Sequence, residues 1–216
     1  MKTRSRYTFI FSLVLSLLAG RGDGSFGAAQ TIALPPLPEC VAMGDLNGDG
    51  KDDLVMSAVG ADVPGTSRQK TGAAYVIYGG ANLQGRSADL TIFGVGANND
   101  VYPDALGKVL SVGDFNGDGI VDLALGAPGA DNVDSARDPI GAVYVIYGSR
   151  NALMGVYDLA TKQADWTAWG ADPGDNLGGG SMAIGNINAS EPADVILGMP
   201  KGRSINNTRI DAGEVR

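Results

Sequence analysis

The chain repeats itself with a period of 69 residues, and this spacing limits its possible folds more than any other feature. Gly44-Asp45-Leu46-Asn47-Gly48-Asp49-Gly50 returns 69 positions later as Gly113-Asp114-Phe115-Asn116-Gly117-Asp118-Gly119. Gly72-Ala73-Ala74-Tyr75-Val76-Ile77-Tyr78-Gly79 returns at the same offset of 69 as Gly141-Ala142-Val143-Tyr144-Val145-Ile146-Tyr147-Gly148. Two separate anchors with one spacing mark duplicated structural units. A third, weaker copy follows at an offset of 72, with Gly185-Asn186-Ile187-Asn188 in the loop position. Its second anchor opens at Gly213-Glu214-Val215, where the sequence stops.

Each unit reads as four short strands. An apolar stretch such as Val109–Val112 leads into the Asp-rich loop, and Leu123–Leu125 follows at once. After a variable segment comes the alternating Tyr-Val-Ile-Tyr strand, then a fourth strand at Leu90–Phe93 or Trp166–Trp169. With 33 Gly and 10 Pro, and no amphipathic helical period beyond the N-terminus, the fold class is all-β, and four strands per unit is the pattern of a propeller blade. The first blade spans 30–104, the second 105–176 and a partial third 177–216.

Residues 1–29 read as a secretory signal: Lys2, Arg4 and Arg6 precede an apolar run, Phe9–Ala19, too short to cross a bilayer as a mature helix. No membrane span follows it. The formal charge is −8, and loss of residues 1–29 removes four basic residues and one acidic one, giving −11. Such acidity argues against a nucleic-acid partner and for hard cations. Histidine is absent and Cys40 is the sole cysteine, which excludes an imidazole triad, a His-ligated metal and an internal disulfide in this chain. No pair of carboxylates stands apart from the Asp-rich loops to act as acid and base. The chain is therefore expected not to be an enzyme.

Of the 24 acidic residues only Glu39, Glu191 and Glu214 are Glu, and Asp favours turns and cation loops. Asp45, Asn47, Asp49 and Asp53 occupy positions 1, 3, 5 and 9 of one loop, with Gly50 at position 6; Asp114, Asn116, Asp118, Asp122 and Gly119 repeat the layout. Alternate side chains converge only if the backbone curls, which a Gly at the sixth position allows. An all-oxygen set suits Ca2+ and poorly suits zinc, and the backbone carbonyls of Lys51 and Ile120 at position 7 would join the shell. An EF-hand needs a bidentate Glu at position 12, where this chain has Met56 and Leu125, so Asp53 and Asp122 become the closing ligands. The alternative is a pair of Asx-rich turns that need no metal. In the third copy Asn186, Asn188, Ser190 and Asp194 keep the ligand positions while Glu191 replaces the Gly, a degenerate site.

These residues resemble the FG-GAP repeats of the integrin α-chain N-terminal propeller and of bacterial secreted repeat proteins. The best unit runs Leu106-Gly107, Gly113 to Gly119, Asp122-Leu123, Gly126-Ala127-Pro128 and Tyr144 to Gly148. The resemblance implies a seven-bladed β-propeller with calcium held between the first two strands of certain blades, the ligands being the two sets named above. The FG element has become Leu106-Gly107 and Leu177-Gly178, and Ser57-Ala58-Val59-Gly60 stands where a GAP-like turn belongs. Seven such units need about 450 residues, so the sequence reads as a fragment with the remaining blades absent. The expected function is a secreted or surface, extracellular or periplasmic, module with structural calcium that binds a protein or glycan. The alternative is the propeller portion of an exported enzyme, a polysaccharide lyase or phospholipase, with its catalytic residues elsewhere.

Overall fold

The computed structural model describes residues 14–17, 30–33, 38–96, 103–131, 139–188, 192–199, 201 and 214–215, and no helix occurs among them. Two strands, β1 (Val14–Leu17) and β2 (Gln30–Ala33), pair antiparallel. The first repeat then forms a meander of β3 (Cys40–Gly44), β4 (Asp53–Ala58), β5 (Ala73–Ile77) and β6 (Leu90–Phe93). The second repeats it with β7 (Leu110–Gly113), β8 (Asp122–Ala127) and β9 (Ala142–Ile146). Its next strand, β10 (Gly155–Asp158), leaves the unit, and β11 (Trp166–Trp169) completes the second sheet. The third unit contributes β12 (Met182–Gly185), β13 (Asp194–Met199) and β14 (Glu214–Val215). Inner strand β7 lies between β3 and β12, so the three sheets follow one another as the blades of a propeller do.

The core lies between the sheets, and strand alternation assigns each side chain to one gap or the next. Leu123 and Leu125 of β8 pack with Val55, Val76 and Ile92 of the first sheet. Ala124, one residue along, joins Val143, Leu197 and Met199 towards the third. A strand covered on both faces reads as a continuous apolar run, and β4 and β8 are buried at all six of their positions. The sequence does not separate these faces, because both are apolar. On the opposite face of the first sheet, Ile32 of β2 is buried among Leu54, Met56, Ile77 and Leu83.

The Leu-Gly pairs that stand for FG join one blade to the next. Leu106 bridges Gly72 and Leu177 bridges Gly141, in each case reaching back to the start of the third strand of the preceding sheet. The leucine amides donate to the carbonyls of Thr71 (2.9 Å) and Ile140 (3.1 Å). Gly107 and Gly178 have φ of 85° and 82°, and a Cβ would strike Ser57 at the first and the backbone of Ala127 and Ala142 at the second. Glycine is required there both for its conformation and for the closeness of the chains.

A fifth strand was not legible in the four-strand pattern. Twelve residues (78–89) join β5 to β6, whereas nineteen (147–165) join β9 to β11. The seven extra residues let β10 cross to the first sheet and pair parallel with β6, Gly155 opposite Leu90 and Asp158 opposite Phe93. Arg68 holds its end with a bidentate ion pair to Asp158, at 2.7 and 2.9 Å, and also donates to the Gly94 carbonyl. The Arg68 guanidinium keeps the Asp158 carboxyl below its ordinary range.

Candidate metal centres

Both Asp-rich loops adopt the same curl, in the place the repeat assigns them, between the first and second strands of their sheets. Asp45 Oδ1 accepts the amide of Asp49 at 3.0 Å, and Oδ2 that of Gly50 at 2.8 Å. Asp114 likewise accepts the amides of Gly117 (2.7 Å), Asp118 (3.2 Å) and Gly119 (2.8 Å). Position 3 accepts from position 5 in both loops at 2.9 Å, Asn47 from Asp49 and Asn116 from Asp118. Position 5 in turn accepts from position 7, Asp49 from Lys51 at 2.9 Å and Asp118 from Ile120 at 2.8 Å. These short Asx links wind the backbone around the side chains. Gly48, Gly50, Gly117 and Gly119 supply left-handed turns, with φ from 67° to 84°.

The ninth-position aspartates lie at the foot of each loop and are fully buried. Asp53 accepts the Leu46 amide on Oδ2 (2.9 Å) and the Gly79 amide on Oδ1 (2.7 Å). Asp122 accepts those of Phe115 (2.7 Å) and Gly148 (2.8 Å) in the same way. One carboxylate thus ties the loop, the second strand and the end of the third strand together. This bracing role is additional to the closing-ligand role read from spacing. Its signal in the sequence is the Gly that ends each Tyr-Val-Ile-Tyr-Gly anchor, since a Cβ at Gly79 or Gly148 would meet neighbouring backbone.

Burial pushes both Asp53 and Asp122 up from the ordinary carboxyl range, against the amide bonds that pull them down. The charges of Asp45 and Asp49 add to the rise at Asp53, and those of Asp118 and Asp114 at Asp122. The remaining position-5 oxygens find local partners: Asp49 Oδ2 lies 3.1 Å from Lys51 Nζ, and Asp118 Oδ2 accepts from Asn116 Nδ2 at 3.2 Å. Lys51 holds the Asp49 carboxyl below its usual range. With the oxygens so turned, no three carboxylates among the described residues are gathered as a metal cage. The donor chemistry nonetheless fits a hard cation: each loop has three carboxylates and one amide oxygen, and mutual repulsion at the buried aspartate that a cation would relieve.

The third loop is built differently. Asp194 Oδ2 accepts the Ile187 amide at 2.7 Å, which keeps the brace, but Oδ1 is taken by Asn188 Nδ2 at 3.1 Å. Asn186 lies in the same loop, and Ser190 lies outside the described residues.

Comparison with known proteins bears on the same segments. The family model described as FG-GAP repeat matches residues 41–77 and 106–146, which take in β3 from its second residue through β5, and β7–β9, with their two loops. A phosphatidylinositol-glycan-specific phospholipase D of Rattus norvegicus is 39% identical over 131 residues, 59% of this chain and 15% of that protein. The protein of the same name from Dictyostelium discoideum is 31% identical over 164 residues, 72% of this chain and 17% of its own length. Integrin alpha-M of Mus musculus is 35% identical over 111 residues, 51% of this chain and 8% of that protein. The chain therefore spans less than a fifth of each of these relatives.

Proposed function

Because the chain is built of FG-GAP repeats, we propose that it is a calcium-stiffened β-propeller module that presents a surface to a protein or glycan outside the cytoplasm. Ca2+ would be held by Asp45, Asn47, Asp49 and Asp53 with the Lys51 carbonyl in the first loop. Asp114, Asn116, Asp118 and Asp122 with the Ile120 carbonyl would hold it in the second. The ion would supply charge neutralisation and structure, not catalysis. The observation that carries this reading is the doubled, self-similar curl wound by Asx links, with an aspartate at its foot raised first by burial and then by its neighbours' charges in both copies. The N-terminal basic and apolar pattern supports export, and no helix among the described residues is long and apolar enough to cross a membrane.

A second reading is favoured by the phospholipase D relatives: the chain would be the propeller portion of an exported enzyme of that type. The coding sequence flanking this chain separates the two. Further repeats and an anchor favour the adhesive module, and a domain with clustered His, Glu or Arg favours the enzyme.

Calcium at about 1 mM, acting on a site with a dissociation constant near 10 μM, would stabilise the fold by about 2.7 kcal/mol. For a chain of this size that is a rise in melting temperature of roughly 5–10 °C per site. Asp118→Ala is expected to lower the calcium-dependent rise measured by calorimetry. An unchanged rise removes the second site from the proposal.

A further inference from the structure

Each Asp-rich loop is bonded forward, to the sheet that follows it. The Asp45 carbonyl, at position 1, accepts the Val121 amide of the second unit at 3.2 Å, and the Leu46 carbonyl accepts the Ser149 amide at 3.0 Å. In the next gap the Asp114 carbonyl accepts the Ala193 amide at 3.0 Å. The position-2 side chains point the same way: Leu46 is buried in the core shared with the second sheet, and Phe115 packs in the core shared with the third. Their third-unit counterpart Ile187 is 67% exposed, with no following sheet docked on it among the described residues. The backbone of position 2 is in turn held by the ninth-position aspartate, through Asp53 to Leu46 and Asp122 to Phe115.

From this repeated geometry we infer that the cation loop of one blade is the docking element for the next, so that an ion in loop n tightens the interface between blades n and n+1. The inference rests on the calcium reading above and extends it. Two of the three forward-pointing carbonyls belong to residues whose side chains would bind the ion, Asp45 and Asp114, and the third to Leu46 next in the chain, so fixing the side chains fixes the acceptors. The loop's own blade is already closed by strand pairing, as Gly44 opposite Asp53 and Gly113 opposite Asp122 show. Order in the loop therefore acts mainly across the gap. The degenerate third loop leaves the second interface intact, because that interface is held from the second loop.

The test is amide hydrogen exchange on the full chain with Ca2+ or with a chelator, alongside calorimetric titration with CaCl2. Calcium should slow exchange about tenfold or more at Val121, Ser149 and Ala193. Asp49→Asn and Asp118→Asn keep the Asx bond to position 7 and remove one charge, so folding is preserved. Asp118→Asn should abolish the calcium effect at Ala193 and keep it at Ser149, since Val121 lies within the second loop and answers to both sites. Asp49→Asn should do the reverse. Calcium binding that leaves exchange at Ser149 and Ala193 unchanged, or slows it only in the loop's own blade, overturns the coupling while leaving the site. Absence of calcium binding by the unmodified chain overturns the site and the coupling together.

Discussion

Single residues carry the joints between blades, and a few of them titrate or bend in ways that can be measured. Tyr78 donates its phenol to the Leu153 carbonyl at 2.6 Å, spanning the first two units. Burial, with the nearby charges of Asp53 and Asp89, pushes its pKa up from 10.0 to about 12. A group whose folded pKa lies above its unfolded value contributes stability that is complete below the unfolded value and is lost as pH rises through the folded one. The chain is thus expected to lose stability between pH 10.0 and about 12, and Tyr78→Phe to flatten that loss in urea melts across the window. Tyr144 is raised further by burial beside Asp104, and its ring meets Trp169 edge-on at 6.0 Å. Tyr75 and Tyr144 sit at equivalent positions and both face the side preceding their own sheet, Tyr75 towards Ile32, Leu54 and Ile77 and Tyr144 towards the core between the first two sheets.

At the scale of elements, the four meander strands and both loops were legible, because period-two alternation and Gly-Asp turn chemistry are local signals. Leu90–Phe93 and Trp166–Trp169 fall where the pattern placed them. Strand β10 was not legible: its four residues, Gly155–Asp158, lack a long alternating run, and their partner β6 lies in another repeat. Parallel pairing of this kind depends on a long connection bringing two distant segments together. Arg68 decides where that connection lands. Arg68→Ala is expected to raise hydrogen exchange at Gly155 and Leu159, whose amides donate to Asp89 and Phe93, about tenfold, while leaving β8 protected. Equal deprotection of β8 would mean that Arg68 supports the whole sheet and not this strand.

For the whole molecule, the sheets are held by apolar gaps, and the first sheet's far face is covered in part by Ile32. Cleavage after Ala29, the end of the segment that reads as a secretory signal, would remove β1 and leave β2 with that side chain. A chain beginning at Gln30 should melt within about 2 °C of the full chain, whereas one beginning at Pro35 should lose about 2–3 kcal/mol by urea unfolding, the worth of one buried Ile. An equal loss from both would place the stabilisation in β1. By itself the sequence determined the repeat, the all-β class, the four-strand pattern and the place of the two Asp-rich loops, because spacing, alternation and Gly-dependent turns are local along the chain. Only the tertiary structure decided that the Leu-Gly pairs reach back to the preceding sheet, that the second unit lends the first a fifth strand, and that both intact Asp-rich loops hydrogen-bond to the unit after them. These are contacts between residues from 34 to 103 positions apart, set by which apolar face meets which, and the equal hydrophobicity of both faces of β4 and β8 conceals that choice until the sheets are stacked.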